Sequence, residues 1–172
     1  MDYYKLIKDR ESIRSFNPDR KISKEILLRI IEAGRLAPSA SNLQPWQFII
    51  VSTEKNLEKV RKCYKGSWFH KAPHILIVKG NKEQSWTRGS DNYKSIETDL
   101  TIAMDHMILA AEYEGIGTCW IAAFDPEILY ATLDIKKNET IFAITPLGYT
   151  PEGFIKKGRK SRKSMAEISS FI

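Results

Sequence analysis

Two hydrophobic periods run through this chain, and the places where one gives way to the other mark its elements. Ile26, Leu27, Ile30, Ile31 and Leu36 recur at helical spacing, behind the capping residue Ser23 and ahead of Pro38, which stops a helix. The spacing predicts a helix with one face turned to a core. The runs Phe48–Val51, Ile75–Val78 and Ile141–Ile144 are short, bulky and mostly β-branched, and read as buried strands, the last ending near Pro146. Leu57, Val60 and Tyr64 put an apolar stripe on the charged segment 54–65, a surface helix. The longest periodic segment is 93–114. Within it Leu100 to Ala111 is apolar nearly all round, so this helix must be covered on most sides, and a second copy of the chain is the expected cover. "GIGTCWIAAF" (115–124) supplies a helix stop and a short strand, after which Asp125 caps a small helix with Pro126 at its first position. The segment 79–94, "KGNKEQSWTRGSDNYK", is the one long irregular loop. The closing "ISSFI" is apolar enough to be expected to pack on something.

With 172 residues and 42% hydrophobic content, the chain is expected to form one domain over 1–172, with 156–172 as a basic and apolar tail. No membrane-length apolar run and no signal sequence is visible, so the expectation is a cytoplasmic protein without a membrane partner. The net charge of +6 is a local feature. "KKGRKSRK" (156–163) holds six basic residues; without them 21 basic residues balance 21 acidic ones. Such a cluster is a solvated tail, a nucleic-acid patch or an anion clamp. The lack of interleaved aromatics and of any nucleic-acid signature argues against the second.

Most familiar chemistry is excluded by position. Gly115 and Gly117 begin like a dinucleotide fingerprint, but Trp120 stands at the third glycine. Gly148 and Gly153 have P-loop spacing, but Phe154-Ile155 stands where Lys-Ser/Thr is required. Pro73 interrupts the pair His70 and His74, and no other metal ligands cluster near them. His106 reads as a hydrogen-bonded core or interface histidine, and Cys63 and Cys119 as buried free thiols.

Two stretches remain. In "RESIRSF", Arg10, Ser12 and Arg14 alternate, so an extended backbone points all three to one side. Two guanidiniums and a hydroxyl suit a phosphomonoester, although a surface salt-bridge cluster is the other reading. In "LAPSASNLQPWQFII", Pro38 and Pro45 stiffen a turn carrying Ser39, Ser41, Asn42 and Gln44. That turn is either a solvated helix-to-strand connection or a set of amides offered to something flat and polar.

Taken in order and spacing, "RESIRSF", "APSASNLQPWQFIIV", "GIGTCWIAAF" with Asp-Pro-Glu, and "PLGYTPE" with its basic segment resemble the FMN-dependent nitroreductase family, from about Tyr4 to Ile168. The resemblance implies an α+β domain with a central, mainly antiparallel sheet flanked by helices, a homodimer joined along long helices, and FMN at the interface. Arg10, Ser12 and Arg14 would hold the phosphate, ribitol and pyrimidine edge, with Lys160 and Arg162 closing on the phosphate; Lys156 and Lys157 lie outside the matched positions. Ser39, Asn42 and Gln44 would reach the flavin of the partner subunit. Ile121, Ala122 and Ala123 would run beside the isoalloxazine, one backbone N–H donating to N5; alanine stands where family members often carry glycine. A larger helical insertion is missing, which leaves Trp86, Arg88 and Tyr93 of the 79–94 loop as a substrate lid. The implied activity is ping-pong hydride transfer from NAD(P)H through the flavin to a small electron-poor acceptor, a nitroaromatic or quinone, with no catalytic side chain, no metal and no nucleic acid. The alternative is a flavin-binding or redox-sensing module without turnover.

Overall fold

A computed structural model describes residues 2–158 and 160–172; Arg159 of the basic segment lies outside the described residues. Its centre is a four-stranded antiparallel sheet in the order β1-β2-β4-β3, formed by β1 (Trp46–Val51), β2 (His74–Asn81), β3 (Gly117–Thr118) and β4 (Glu139–Gly148). The order of elements along the chain is α1 (Tyr3–Asp9), α2 (Lys24–Arg35), β1, α3 (Glu54–Arg61), β2, α4 (Ile96–Tyr113), β3, α5 (Pro126–Leu133), β4 and α6 (Met165–Ile168). Helices cover both faces of the sheet.

Strand β2 shows why its sequence is an unbroken apolar run. Leu76 and Val78 face a cluster built from α2 and α4, whereas Ile75 and Ile77 face a second cluster built from α3 and α5. A strand buried on both faces has no polar side to alternate with. On β4 the register slips by one residue opposite Val78 and Lys79. That bulge puts two consecutive residues, Phe142 and Ala143, on the α2–α4 side, between Ile141 and Ile144 on the α3–α5 side.

The helix signals are realised as hydrogen bonds. Ser23 Oγ accepts from Ile26 N–H, and Asp125 accepts from Glu127 and Ile128 N–H ahead of α5. Gly34 lets α2 lie close on α4, because a Cβ there would meet Met107 at 2.8 Å. Gly115, at φ +72°, turns the chain out of α4.

Several boundaries differ from expectation. The loop expected over 79–94 is shorter, because β2 runs on to Asn81. Lys79 is tolerated in the strand because its ammonium pairs with Glu139 on β4 at 2.7 Å. The longest helix starts at Ile96 rather than Tyr93, and α3 ends at Arg61 rather than Lys65. Leu36, expected on the core face of α2, is 64% exposed, since the helix has ended one residue earlier. The closing apolar segment is left uncovered among the described residues: Ile168, Phe171 and Ile172 are exposed. Among the described residues no helix is long and apolar enough to cross a membrane, and no group of three or more His, Cys, Asp and Glu is placed to hold a metal.

His74 ties α2 to the sheet. Its Nε2 accepts the Ile22 N–H at 3.1 Å and its Nδ1 lies 2.8 Å from Ser52 Oγ. An amide can only donate, so the ring is neutral with its proton on Nδ1, directed at Ser52. Burial, and then the charge of Lys21, pull His74 below the ordinary value of 6.5. A depressed histidine favours the fold above that value and costs stability below it, because the unfolded chain takes up the proton first. The urea midpoint is therefore expected to hold steady above about pH 7 and to fall toward about pH 5, by at most ~1.4 kcal/mol per pH unit from this group. His74→Gln should flatten that segment of the curve.

Candidate active site

The extended segment after α1 presents its side chains as the alternation requires. Ser12 bridges Thr118 in parallel, and Ile13 N–H donates to Thr118 O at 2.7 Å. Ile13 is buried against Gly117, where a Cβ would meet it at 2.9 Å, so the side chains of Arg10, Ser12 and Arg14 point the other way. They line an open pocket of about 540 Å³ together with Glu11, Ser15, Phe154 and, from the tail, Lys157, Lys160, Ser161 and Arg162. The two ends of the chain thus meet at one basic hollow.

Five cationic side chains line this pocket against a single carboxylate, and that carboxylate is already committed. Glu11 Oε1 accepts the Lys157 N–H at 3.0 Å and Oε2 the Gly158 N–H at 3.2 Å. Glu11 thereby docks the tail rather than neutralising the site. Lys156 docks it from behind, pairing with Glu112 and donating to Asp9 O, and Lys160 Nζ donates to Lys8 O. Partial burial, then the neighbouring guanidiniums of Arg10 and Arg162, hold Lys160 below the ordinary lysine range. Uncompensated positive charge of this kind is relieved by an anion. Arg14 carries a second constraint, its guanidinium lying 5.9 Å from the centroid of Trp68.

Ser39, Asn42 and Gln44 lie elsewhere, on the turn between α2 and β1. Ser41, Asn42 and Gln44 all have positive φ, at 51°, 55° and 49°. For side chains other than glycine this costs of order 1–2 kcal/mol each, least for asparagine. The turn is held by its own bonds: Gln44 N–H donates to Ser39 Oγ at 2.9 Å, and Gln44 Nε2 to Asn42 O and Oδ1 at 3.2 Å. Ala40 N–H donates to the buried carboxylate of Asp99 on α4 at 2.9 Å.

The third group separates on inspection. Ile121 is buried, and its N–H is spent on Ile144 O at 2.9 Å. Among the described residues the amides of Ala122 and Ala123 make no hydrogen bond, and both residues are exposed. Ala123 borders a hollow of about 480 Å³ with Cys63, Tyr64, Lys65, Gly66, Phe124 and Asp125. Both thiols are protonated at neutral pH, Cys63 pushed up to about 12 by burial and then by Asp125, and Cys119 raised chiefly by burial. Trp86, Arg88 and Tyr93 border neither hollow. Arg88 is occupied by Asp91 at 2.7 Å and by the Tyr93 ring at 4.9 Å, and a backbone bridge between Thr87 and Lys94 folds this loop into a compact flap.

Arg10, Ser12, Arg14, Lys160 and Arg162 therefore converge, while the 39–44 turn and Ala122–Ala123 form separate patches on the same chain. Lys157, expected outside the site, borders it. Glu11, Trp68, Asp99 and Phe154 were not among the expected residues; only Glu11 and Phe154 carried a signal, by adjacency to the matched blocks.

The profile of the nitroreductase family matches residues 7–68 and 56–149. The chain belongs to the nitroreductase family. An Archaeoglobus fulgidus nitroreductase relative, provisionally named NADH dehydrogenase/NAD(P)H nitroreductase, is 33% identical over 150 residues, spanning 84% of this chain and 83% of that protein. A nitroreductase family protein of known structure from Clostridium difficile superposes with a TM-score of 0.91 at 29% identity, over 99% of this chain and 98% of the other. An FMN-dependent nitroreductase from the same species gives a TM-score of 0.74 at 25% identity, over 94% and 92% of the two chains. The nitroreductase fold expected from the sequence is thus the fold observed, a mainly antiparallel sheet with helices on both faces.

Proposed function

We propose that this nitroreductase is an NAD(P)H-dependent flavin oxidoreductase that holds FMN with its phosphate in the Arg10–Arg162 pocket and delivers electrons to a small electron-poor acceptor. The observation that carries the reading is the pocket's charge: five cations, a serine hydroxyl at Ser12, and one carboxylate turned to the tail backbone. A phosphomonoester dianion fits that donor set, because guanidinium forks match its oxygens in pairs.

Bound FMN would supply the hydride chemistry, taking two electrons from a nicotinamide and passing them to the acceptor. The chain's own residues bind and orient it. Arg10, Lys160 and Arg162 would hold the phosphate, and Arg14, braced on Trp68, would place positive charge next to it. Because the Ile121 amide is spent in the sheet, the N–H of Ala122 or Ala123 would be the donor to the ring edge, with a methyl small enough for the backbone to approach. No side chain is required as a general base.

The working unit is proposed to be a homodimer. On α4, Ile102, His106 and Leu109 are only half-buried and Tyr113 is 58% exposed, at spacings that leave one largely apolar stripe incompletely covered among the described residues. A second copy along this stripe would bring its 39–44 turn toward the first copy's flavin.

Addition of FMN to the purified protein should give a bound flavin spectrum, and NADH or NADPH should bleach it rapidly without oxygen. Flavin that binds and is reduced by neither nicotinamide would leave a binding module; no bound flavin at all would end the proposal. A smaller effect concerns the flap. Trp86→Ala and Tyr93→Ala are expected to change KM for the acceptor several-fold while FMN affinity stays within about twofold. Unchanged KM with several acceptors would make the flap an ordinary surface loop.

A further inference from the structure

We infer that Asp99 is the positioning residue for the 39–44 turn and, through it, for the ring of the flavin; the second half of the inference rests on the reading above that this turn meets the cofactor. Asp99 is 1% exposed in the first turn of α4, and among the described residues it has no ion-pair partner. One oxygen accepts the Ala40 N–H at 2.9 Å and the other the Ser95 hydroxyl at 2.7 Å. The positive end of α4 offsets part of the buried charge. Even so, a carboxylate without a cation is a costly way to fill a core, and an apolar side chain of the same size would serve folding alone better.

What the carboxylate does is local. Ala40 donates the first amide of a turn in which Ser41, Asn42 and Gln44 occupy the left-handed region, a conformation that persists only where its surroundings hold it. The Ser39–Gln44 and Gln44–Asn42 bonds close the turn on itself, but Asp99 is the side-chain acceptor that ties it to the helix layer. Without that tie the turn relaxes and Ser39 and Asn42 lose their aim. The turn does not border the basic pocket, so its effect does not run through the phosphate.

Five variants test this by titration with FMN and with riboflavin, by thermal midpoint, and by hydrogen exchange at the Ala40 amide. Asp99→Leu removes both bonds and should weaken FMN and riboflavin by the same factor, roughly 5- to 100-fold, with faster exchange at Ala40. Asp99→Asn can still accept from Ala40 and donate to Ser95 Oγ, so its affinities should stay within about threefold of wild type. Met104→Ala, a core truncation on the same helix, should lower the thermal midpoint and leave flavin affinity alone. Asp99→Leu no worse than Met104→Ala in flavin affinity, or Asp99→Asn as damaging as Asp99→Leu, overturns the inference. Should Asp99→Leu fail to fold, Asp99→Ala, which removes the acceptor of the Ala40 N–H without adding bulk, carries the same test, and unchanged exchange and affinity there overturn it. Arg162→Ala separates the two readings. A selective loss of FMN over riboflavin upholds the flavin site, whereas no loss of either condemns that site and leaves Ala40 exchange to decide whether Asp99 holds the turn.

Discussion

Arg162→Ala is expected to lower FMN affinity roughly 10- to 150-fold, because a charge-assisted bond to a phosphate is worth on the order of 1.5–3 kcal/mol. Riboflavin, lacking the phosphate, should bind the variant and the wild type nearly alike. Lys160→Ala should show the same selectivity with an added cost, since Lys160 also donates to Lys8 O and helps seat the tail. Lys156 does not border the pocket, and its ammonium is engaged by Glu112 and Asp9 O; its loss should act through tail docking and cost only a few-fold. Lys157 borders the pocket and should contribute by long-range attraction that salt screens. A nucleic-acid surface would behave otherwise, with comparable losses at every basic residue of the tail and affinity falling linearly with the logarithm of salt concentration. Flavin fluorescence titrations of wild type, Arg162→Ala and Lys156→Ala decide between them. Equal FMN affinities in all three would remove the tail from the cofactor site.

The legible parts of the fold are those where one short-range rule dominates. Ile75–Val78 is apolar on both faces because helices cover both, and Ser23 and Asp125-Pro126 mark helix starts because caps act within a single turn. Strand β2 was cut short at Val78 because Lys79 and Asn81 look like loop residues; only the distant partner Glu139 makes Lys79 a strand residue. Helix α1 escaped because it has no buried residue, and hence no apolar period to detect. The bulge in β4 is likewise invisible until two strands are paired.

The same division holds at the site. The alternation of Arg10, Ser12 and Arg14 follows from an extended backbone, and Ile13 between them is the buried counterpart that fixes the direction. Asp99 carries no local signal, because its partner Ala40 lies 59 positions away. Ile121 and Ala122 are neighbours with opposite fates, one amide paired in the sheet and the next free, which no local pattern distinguishes.

Mixing Arg10→Ala subunits with Asn42→Ala subunits is expected to restore activity that neither variant has alone. Within one chain the Arg10 pocket and the 39–44 turn are separate patches, and the uncovered stripe on α4 offers a surface along which two copies would bring them together. If each flavin is held by Arg10 of one subunit and Asn42 of the other, a mixed dimer contains one site with both residues intact and one with neither. Random exchange of equal amounts gives about half mixed dimers, so about a quarter of all sites should recover FMN binding and NAD(P)H oxidation. The recovered fraction should bind FMN with wild-type affinity, which sets it apart from partial rescue of weak sites. If each subunit instead completes its own site, every chain in the mixture carries one lesion and nothing is recovered. Verified subunit exchange without recovered activity would therefore return Asn42 to its own chain and leave the turn a connection between helix and strand.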